Sequence, residues 1–314
     1  MNSNKPLASL IVCFYNQVDF VEDAVQGALS QTYENLEIVL SDDCSTDGTY
    51  EKIIGLIKDY NGSHHIVTNR NNKNLGLVPH FNKVFLELSH GQYIFVQGGD
   101  DISLPNRVSI GIDYFIRDSS IYAITCALIF IDRNGYETGR MNLQEDIVTT
   151  IQDKHYLSSN SFMCGSGMLA SRRDIWNVFG SLNDNSQTED SCMRFRALLL
   201  GKVLASAKYG VKYRIHGNNI SIGSVVYKLK SHPIAEQYRK DLTVVKNQIP
   251  YYLYKMLQKK IDYYEKNRDV EAKLATISCS IMKRRFWNMK MKYYRFTYQR
   301  HLSRLYDKLE TEIQ

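Results

Sequence analysis

The strand-like run Leu36–Leu40 empties directly into Ser41-Asp42-Asp43-Cys44-Ser45-Thr46-Asp47-Gly48, an acidic turn closed by glycine. A short apolar run bounded by turn residues reads as a buried strand. Acids and short hydroxyls at its carboxyl end lie where open α/β sheets bind their ligands, which points to nucleotide chemistry. The same residue types also build ordinary strand-to-helix turns, and Asp47 is placed to cap a helix carried by Tyr50, Ile53, Ile54 and Ile57. A calcium loop starting at Asp43 would need a glutamate where Ile54 stands, so the EF-hand pattern does not fit.

The surrounding hundred residues alternate strand and helix signals, the mark of βαβ units and a mainly parallel sheet. Leu7–Tyr15 reads as the first strand, and Val21, Ala24, Val25, Ala28 and Leu29 as a helical stripe with Asp19 at its cap. Ile66–Thr68 gives a short strand, Phe81, Val84, Phe85 and Leu88 a helix, and Tyr93–Gln97 a further buried strand. That strand ends in Gly98-Gly99-Asp100-Asp101, a second acidic turn. Hard carboxylate oxygens beside residues without side chains suit a divalent cation on a diphosphate. Pro105 then opens the helix bearing Val108 and Ile112.

Further on, Ile121–Ile131 is a long apolar strand closed by the turn Asp132-Arg133-Asn134-Gly135. Residues 136–160 carry no clear pattern. Strand character resumes over Phe162–Leu169, and a short helix is expected over Arg173–Phe179. Thr188-Glu189-Asp190 opens a helix that runs to Leu200, with acids where the helix dipole favours them. A last strand, Val211–Ile215, ends at His216.

Six scattered cysteines without a Cys-x-x-Cys pair argue for reduced thiols rather than zinc or a disulfide frame. No apolar run approaches the roughly 20 residues needed to span a bilayer. The N-terminal apolar stretch has no small-residue cleavage site after it, so it reads as a strand of a cytoplasmic protein. Charge divides the chain: residues 1–223 carry 19 Lys/Arg against 24 Asp/Glu, whereas residues 224–314 carry 20 against 9. A basic tail of this kind suggests an anionic partner.

Taken in order, these segments resemble glycosyltransferase family 2, inverting enzymes of GT-A fold that use nucleotide-activated sugars. Ser9-Leu10-Ile11-Val12 through Tyr15-Asn16 is similar to the family's opening strand, and Ser30-Gln31-Thr32-Tyr33 with Asn35-Leu36-Glu37-Ile38 to its approach to the second. Ser41–Gly48 resembles the nucleotide turn, and Asn74-Leu75-Gly76 with Asn82 the segment before the metal motif.

The resemblance implies a Rossmann-like α/β domain over residues 1–223, with a mainly parallel central sheet and flanking helices. A basic, aromatic-rich helical extension would occupy 224–314. It implies Tyr15, Asp42, Asp43 and Asp100 at the nucleotide, Asp43 accepting a hydrogen bond from a pyrimidine N–H and Asp42 assisting or shaping the turn. Asp101 and His216 would hold a divalent metal, Mn2+ or Mg2+, and Arg214 would add positive charge at the diphosphate. Asp190 would be the general base and Glu189 would orient acceptor or base. Two positions depart from the pattern: Gly98 stands where many relatives carry an additional acid, and Cys44 where a glycine is common.

The implied activity is sugar transfer from a nucleotide sugar, UDP-linked by preference, to a glycan or lipid-linked acceptor in bacterial surface polysaccharide assembly. A non-catalytic scaffold of the same fold is the alternative. A sugar nucleotidyltransferase fits less well, because the chain lacks the Gly-rich basic loop that would hold a triphosphate. From Ala272 to Tyr306 there are nine Lys/Arg and no acid, interleaved with aromatics and methionines at helical spacing. Such a helix suits an anionic membrane surface, placing the protein on the cytoplasmic face of the inner membrane. It equally suits packing on the catalytic domain or in a homodimer. No nucleic-acid recognition motif accompanies the charge.

Overall fold

The computed structural model describes residues 5–153, 156–157, 169–186, 188–216 and 231–276. Its frame is a parallel block of strands β1 (Ala8–Phe14), β2 (Leu36–Asp42), β3 (His65–Arg70) and β4 (Tyr93–Gly98), in the order β3-β2-β1-β4. Helices α1 (Val21–Leu29), α2 (Thr49–Ile57) and α3 (Leu77–Lys83) connect them, the last continuing into a π-helical turn over Val84–Leu88. A second block follows. β6 (Ile121–Ile131) and the 13-residue β10 (Lys202–Arg214) pair in parallel, and β9 (Leu169–Arg172) bridges β4 to β6 in antiparallel fashion.

The short strand β5 (Ile102–Ser103) follows β4 almost at once, yet it pairs with β10 at the far end of the sheet. Residues 99–101 therefore turn a corner between the sheet's centre and its last strand, and the sheet curls around them. Two strands arise in the stretch without a sequence pattern: β7 (Glu137–Arg140) on β6 and β8 (Ile147–Thr150) on β10. Both are short and largely exposed, so they bury too little to leave an alternation in the sequence.

Strand periodicity sorts the core into two layers. Ala8, Leu10, Val12 and Phe14 of β1 pack with Leu36, Ile38 and Leu40 of β2 beneath α1 and α4 (Arg107–Arg117). Ile11 and Val39 face the other way, toward Phe81, Phe85, Trp176 and Phe195. That second layer also takes in α5 (Asp174–Phe179), α6 (Asp190–Leu200), α7 (Ser231–Val244) and α8 (Tyr251–Thr276), through Tyr238, Leu242, Leu257 and Ile261. The division expected at residues 223 and 224 thus does not separate two cores. Helices α7 and α8 complete the core under the second layer, because their apolar residues close over α5 and α6. Beyond Thr276, the basic helix expected over the tail lies outside the described residues. Among the described residues, no helix is long and apolar enough to cross a membrane.

Two helix starts differ from expectation. Asp19 does not cap α1; it pairs with Arg133 across the site mouth, and Phe20 is the cap residue. Gly48, at φ 91°, is the cap residue of α2, while Asp47 Oδ1 accepts the N–H of Thr49 and so serves the first turn from one position earlier.

At the opposite end of the sheet, the buried Glu37 accepts from the Ser9 hydroxyl and from the backbone N–H groups of His90 and Gly91. Burial raises its pKa, but these hydrogen bonds outweigh it and the net shift is downward from 4.5. Glu37→Gln is expected to lower stability by about 2 kcal/mol, the scale of hydrogen bonds to a charged acceptor. Denaturant melts at pH 7 measure it. The contribution is present above pH 4.5 and fades as pH falls through the lower folded-state value, so the two chains' stabilities should converge in acid.

Candidate active site

The candidate site is assembled at the carboxyl end of β1, where three backbone bonds fasten two acidic turns. Asp43 N–H donates to Phe14 O at 2.9 Å, Asn71 N–H to Asp42 O at 2.9 Å, and Gly99 N–H to Cys13 O at 2.8 Å. The last contact requires glycine: a Cβ at position 99 would stand 2.3 Å from Phe14 Cδ1 and 2.5 Å from Gln17 Oε1. The Cys13 thiol is pushed up to about 12, foremost by burial and then by the charges of Glu189 and Asp43. Cys13 packs against the core layer that α6 enters through Cys192 and Met193. Tyr15, just past the end of β1, is exposed.

In the first turn the two aspartates divide the work. Asp42 is buried and receives the N–H and hydroxyl of Ser45, which shapes the turn. Cys44, at φ 64°, occupies the left-handed region that favours glycine, at a cost of about 1 kcal/mol. Asp43 Oδ1 accepts from Asn71 Nδ2 at 2.8 Å and Leu75 N–H at 2.9 Å, and Oδ2 from Gly76 N–H at 2.9 Å. A carboxylate offers about four acceptor positions, so one remains on Oδ2 for an incoming donor. Behind it, Lys83 Nζ holds Asn71 Oδ1 at 2.7 Å and Asn69 Oδ1 at 3.1 Å. Ser41 Oγ meets His80 Nε2 at 2.7 Å, and burial pushes that imidazole's pKa down. Asn71 and Lys83 were not legible as site residues, since each is defined by a partner in another loop.

In the second turn, Asp100 Oδ2 lies 3.0 Å from His216 Nε2, and the His216 ring packs on Phe20 at 4.9 Å. Asp101 is buried, and its Oδ1 accepts the Arg214 N–H at 2.8 Å. Burial first, and then Asp100, raise its carboxyl well above the ordinary range. A Cβ at Gly98 would stand 2.7 Å from Asp100 Oδ1 and 3.3 Å from Asp101 Oδ2, so both carboxylates border the room that a side chain would fill. Glycine at position 98 leaves that space open to them.

Arg214 stands apart from its expected role at a diphosphate. Its guanidinium is buried and donates to Asp100 O, Asp132 O and Arg133 O, with Nη2 on Asp23 Oδ2 at 2.6 Å. Those bonds make it the brace of the second turn.

The third acidic pair opens α6. Asp190 is half exposed, with Oδ2 3.6 Å from Nη1 of the buried Arg194 one turn on. The Glu189 carboxyl is pushed up to about 8, first by burial and then by the neighbouring Asp190 charge. At neutral pH one of this adjoining pair is therefore a neutral acid and a hydrogen-bond donor. Among the described residues, no three His, Cys, Asp or Glu side chains form a group able to hold a metal by themselves.

Residues 9–179 match the sequence model of Glycosyl transferase family 2. The chain belongs to that family. This glycosyltransferase is 27% identical over 264 residues to an uncharacterized glycosyltransferase of Haemophilus influenzae, covering 81% of this chain and 76% of that one. Over 103 residues it is 38% identical to the UDP-Glc:alpha-D-GlcNAc-diphosphoundecaprenol beta-1,3-glucosyltransferase WfaP of Escherichia coli, 33% of this chain and 39% of WfaP. Its fold matches residues 1–349 of S. aureus TarS in complex with UDP-GlcNAc, at a TM-score of 0.64 and 14% identity, over 90% of this chain and 78% of that one. It also matches the mannosyltransferase PcManGT of Pyrobaculum calidifontis, solved with GDP-Man and Mn2+, at 0.55 and 13% identity, over 98% and 87%. The glycosyltransferase thus has the GT-A fold, curled sheet included.

The raised Glu189 carboxyl fixes a stability signature. Its folded-state value of about 8 lies above the ordinary 4.5, so its contribution is complete below pH 4.5 and is lost as pH rises through 8. Glu189→Gln should flatten that part of the pH–stability curve, measured by denaturant melts from pH 4.5 to 9.

Proposed function

We propose that this glycosyltransferase moves a sugar from a UDP-sugar to a glycan or lipid-linked acceptor, with inversion, during assembly of a bacterial surface polysaccharide. The observation that carries the reading is that backbone bonds to the end of β1 hold both acidic turns side by side, the one with Asp43 and the one that leads into Asp100–Asp101. The names of WfaP and of the TarS complex, with their UDP-linked donors, support the nucleotide. WfaP's diphosphoundecaprenol acceptor supports a lipid-linked one.

The open acceptor position on Asp43 Oδ2 takes the N–H of the uracil edge, and Tyr15 offers its ring at the mouth. Asp190 takes the proton from the acceptor hydroxyl as that oxygen attacks the anomeric carbon. The bond to the nucleoside diphosphate breaks on the opposite face, so a single displacement inverts the configuration. Glu189, protonated at neutral pH, donates a hydrogen bond that keeps Asp190 oriented. Arg214 holds Asp100 and Asp101 in place. Asp100 and Asp101, with His216 beside them, would hold a divalent cation, Mn2+ or Mg2+. When bound it would offset charge on the leaving diphosphate, whose oxygens would complete the ligand set that two acids and one histidine leave short.

The test is UDP release from a panel of UDP-sugars with Mn2+ or Mg2+, with and without acceptor. Asp190→Asn is expected to lower transfer by about 10²–10⁴-fold, the usual worth of a general base, while UDP binding persists. Full transfer by Asp190→Asn removes Asp190 from the role of base. Asp43→Asn is expected to weaken UDP binding and leave the melting transition cooperative.

A further inference from the structure

Helix α6 carries Glu189–Asp190 at its start and a buried arginine in its interior, Arg196, whose partner comes from the C-terminal helices. Arg196 Nε meets Asp241 Oδ2 of α7 at 2.9 Å and Nη2 meets Asp241 Oδ1 at 3.0 Å, with both side chains fully buried. The same guanidinium donates to Gly180 O at 2.8 Å and to Ser181 O at 3.3 Å, at the end of α5, and lies over the Phe179 ring at 5.4 Å. Gln237, one turn before Asp241, donates to Asp241 Oδ1 at 2.8 Å and accepts the Asn183 N–H at 2.6 Å. From the other side, Asn82 of α3 accepts the Leu182 N–H at 2.9 Å and donates to Leu182 O at 2.8 Å. The segment that leads from α5 into α6 is thus gripped at four successive residues, 180 to 183, by side chains from three helices.

A buried ion pair is a poor device for stability alone, since an apolar pair of similar volume serves as well or better. What a two-pronged guanidinium–carboxylate pair adds is direction. A slip of one residue along α6 would move its start by about 1.5 Å and rotate it by about 100°. Asp190, half exposed at the first turn, pairs with Arg194 of the same helix, so its place follows the placement of α6 itself.

We propose that the Arg196–Asp241 pair, extended by Gln237 and Asn82, is a positioning clamp that sets the height and rotation of α6, and with it the place of Asp190 in the site. Helix α7, beyond the residues matched by the family model, then belongs to the catalytic apparatus. The inference rests on the reading of Asp190 as the base.

The test compares wild type with the double variant Arg196→Met/Asp241→Leu, which removes both charges and keeps apolar volume, and with Gln237→Ala, which keeps the pair but frees Asn183. Four quantities are read: the melting transition, UDP affinity, amide hydrogen exchange across the first turn of α6, and kcat and KM for transfer. The clamp requires a cooperative melt, UDP affinity within about twofold of wild type, faster exchange at the start of α6, and kcat lower by about 10–100-fold in the double variant. Gln237→Ala should show the same pattern at smaller amplitude, and Asp241→Glu should restore part of the lost kcat. Wild-type kcat in a folded double variant overturns the proposal, as does a uniform loss in which UDP affinity falls along with kcat. If the double variant does not fold, wild-type exchange and kcat in Gln237→Ala overturn it. Asp190→Asn, run in parallel, separates the two claims. Full transfer there removes the base reading and the clamp together, whereas an inactive Asp190→Asn beside a fully active double variant removes the clamp alone.

Discussion

The buried guanidinium of Arg214 is the contact on which the candidate site depends. It sits at the end of the longest strand and reaches α1 through Asp23, the second acidic turn through Asp100 O, and the β6–β7 turn through Asp132 O and Arg133 O. Its own N–H holds Asp101. Together with the Arg107 charge, and with His216 on Asp100, it offsets the repulsion between two adjoining carboxylates at the corner of a curled sheet. Removing the guanidinium would take the donor from three backbone carbonyls in two turns, so Arg214 is as much a condition of the fold as of the site.

Curling of the sheet is what makes that brace possible. β4 and β5 are separated by three residues in sequence, but they lie at the middle and at the end of the strand order. The acidic turn is the chain's path across that gap. Gly99 lets the path press against Phe14 and Gln17, and Gly98 leaves room for Asp100 and Asp101 to face a common space.

Glu37 and Asp241 show the same principle at a distance from the chemistry. Each is a buried carboxylate whose partners come from elsewhere in the chain: Ser9, His90 and Gly91 for the first, Arg196 and Gln237 for the second. They end up with opposite shifts. Backbone N–H groups at Glu37 outweigh burial and lower its pKa, whereas burial at Asp241 outweighs Arg196 and raises it.

The parallel block, both acidic turns and the helix that starts at Asp190 were legible in the sequence, because each is written in contiguous residues. Alternation along β1 and β2, and acids directly after a strand, are local signals that need no partner. The sequence was misleading where a residue's role depends on what faces it. Asp19 has the chemistry of a cap but pairs with Arg133, and Arg214 has the charge for a phosphate but is consumed by carbonyls and Asp23. The apparent boundary at residue 223 followed a change in charge, yet α7 and α8 share the core of the second layer. Sequence alone determined the α/β pattern and the acids; tertiary structure decided which acids meet, which are braced, and which helices hold them. The reason is physical: strand and turn preferences act over a few residues, while burial, charge pairing and close backbone approach exist only once distant segments are in contact.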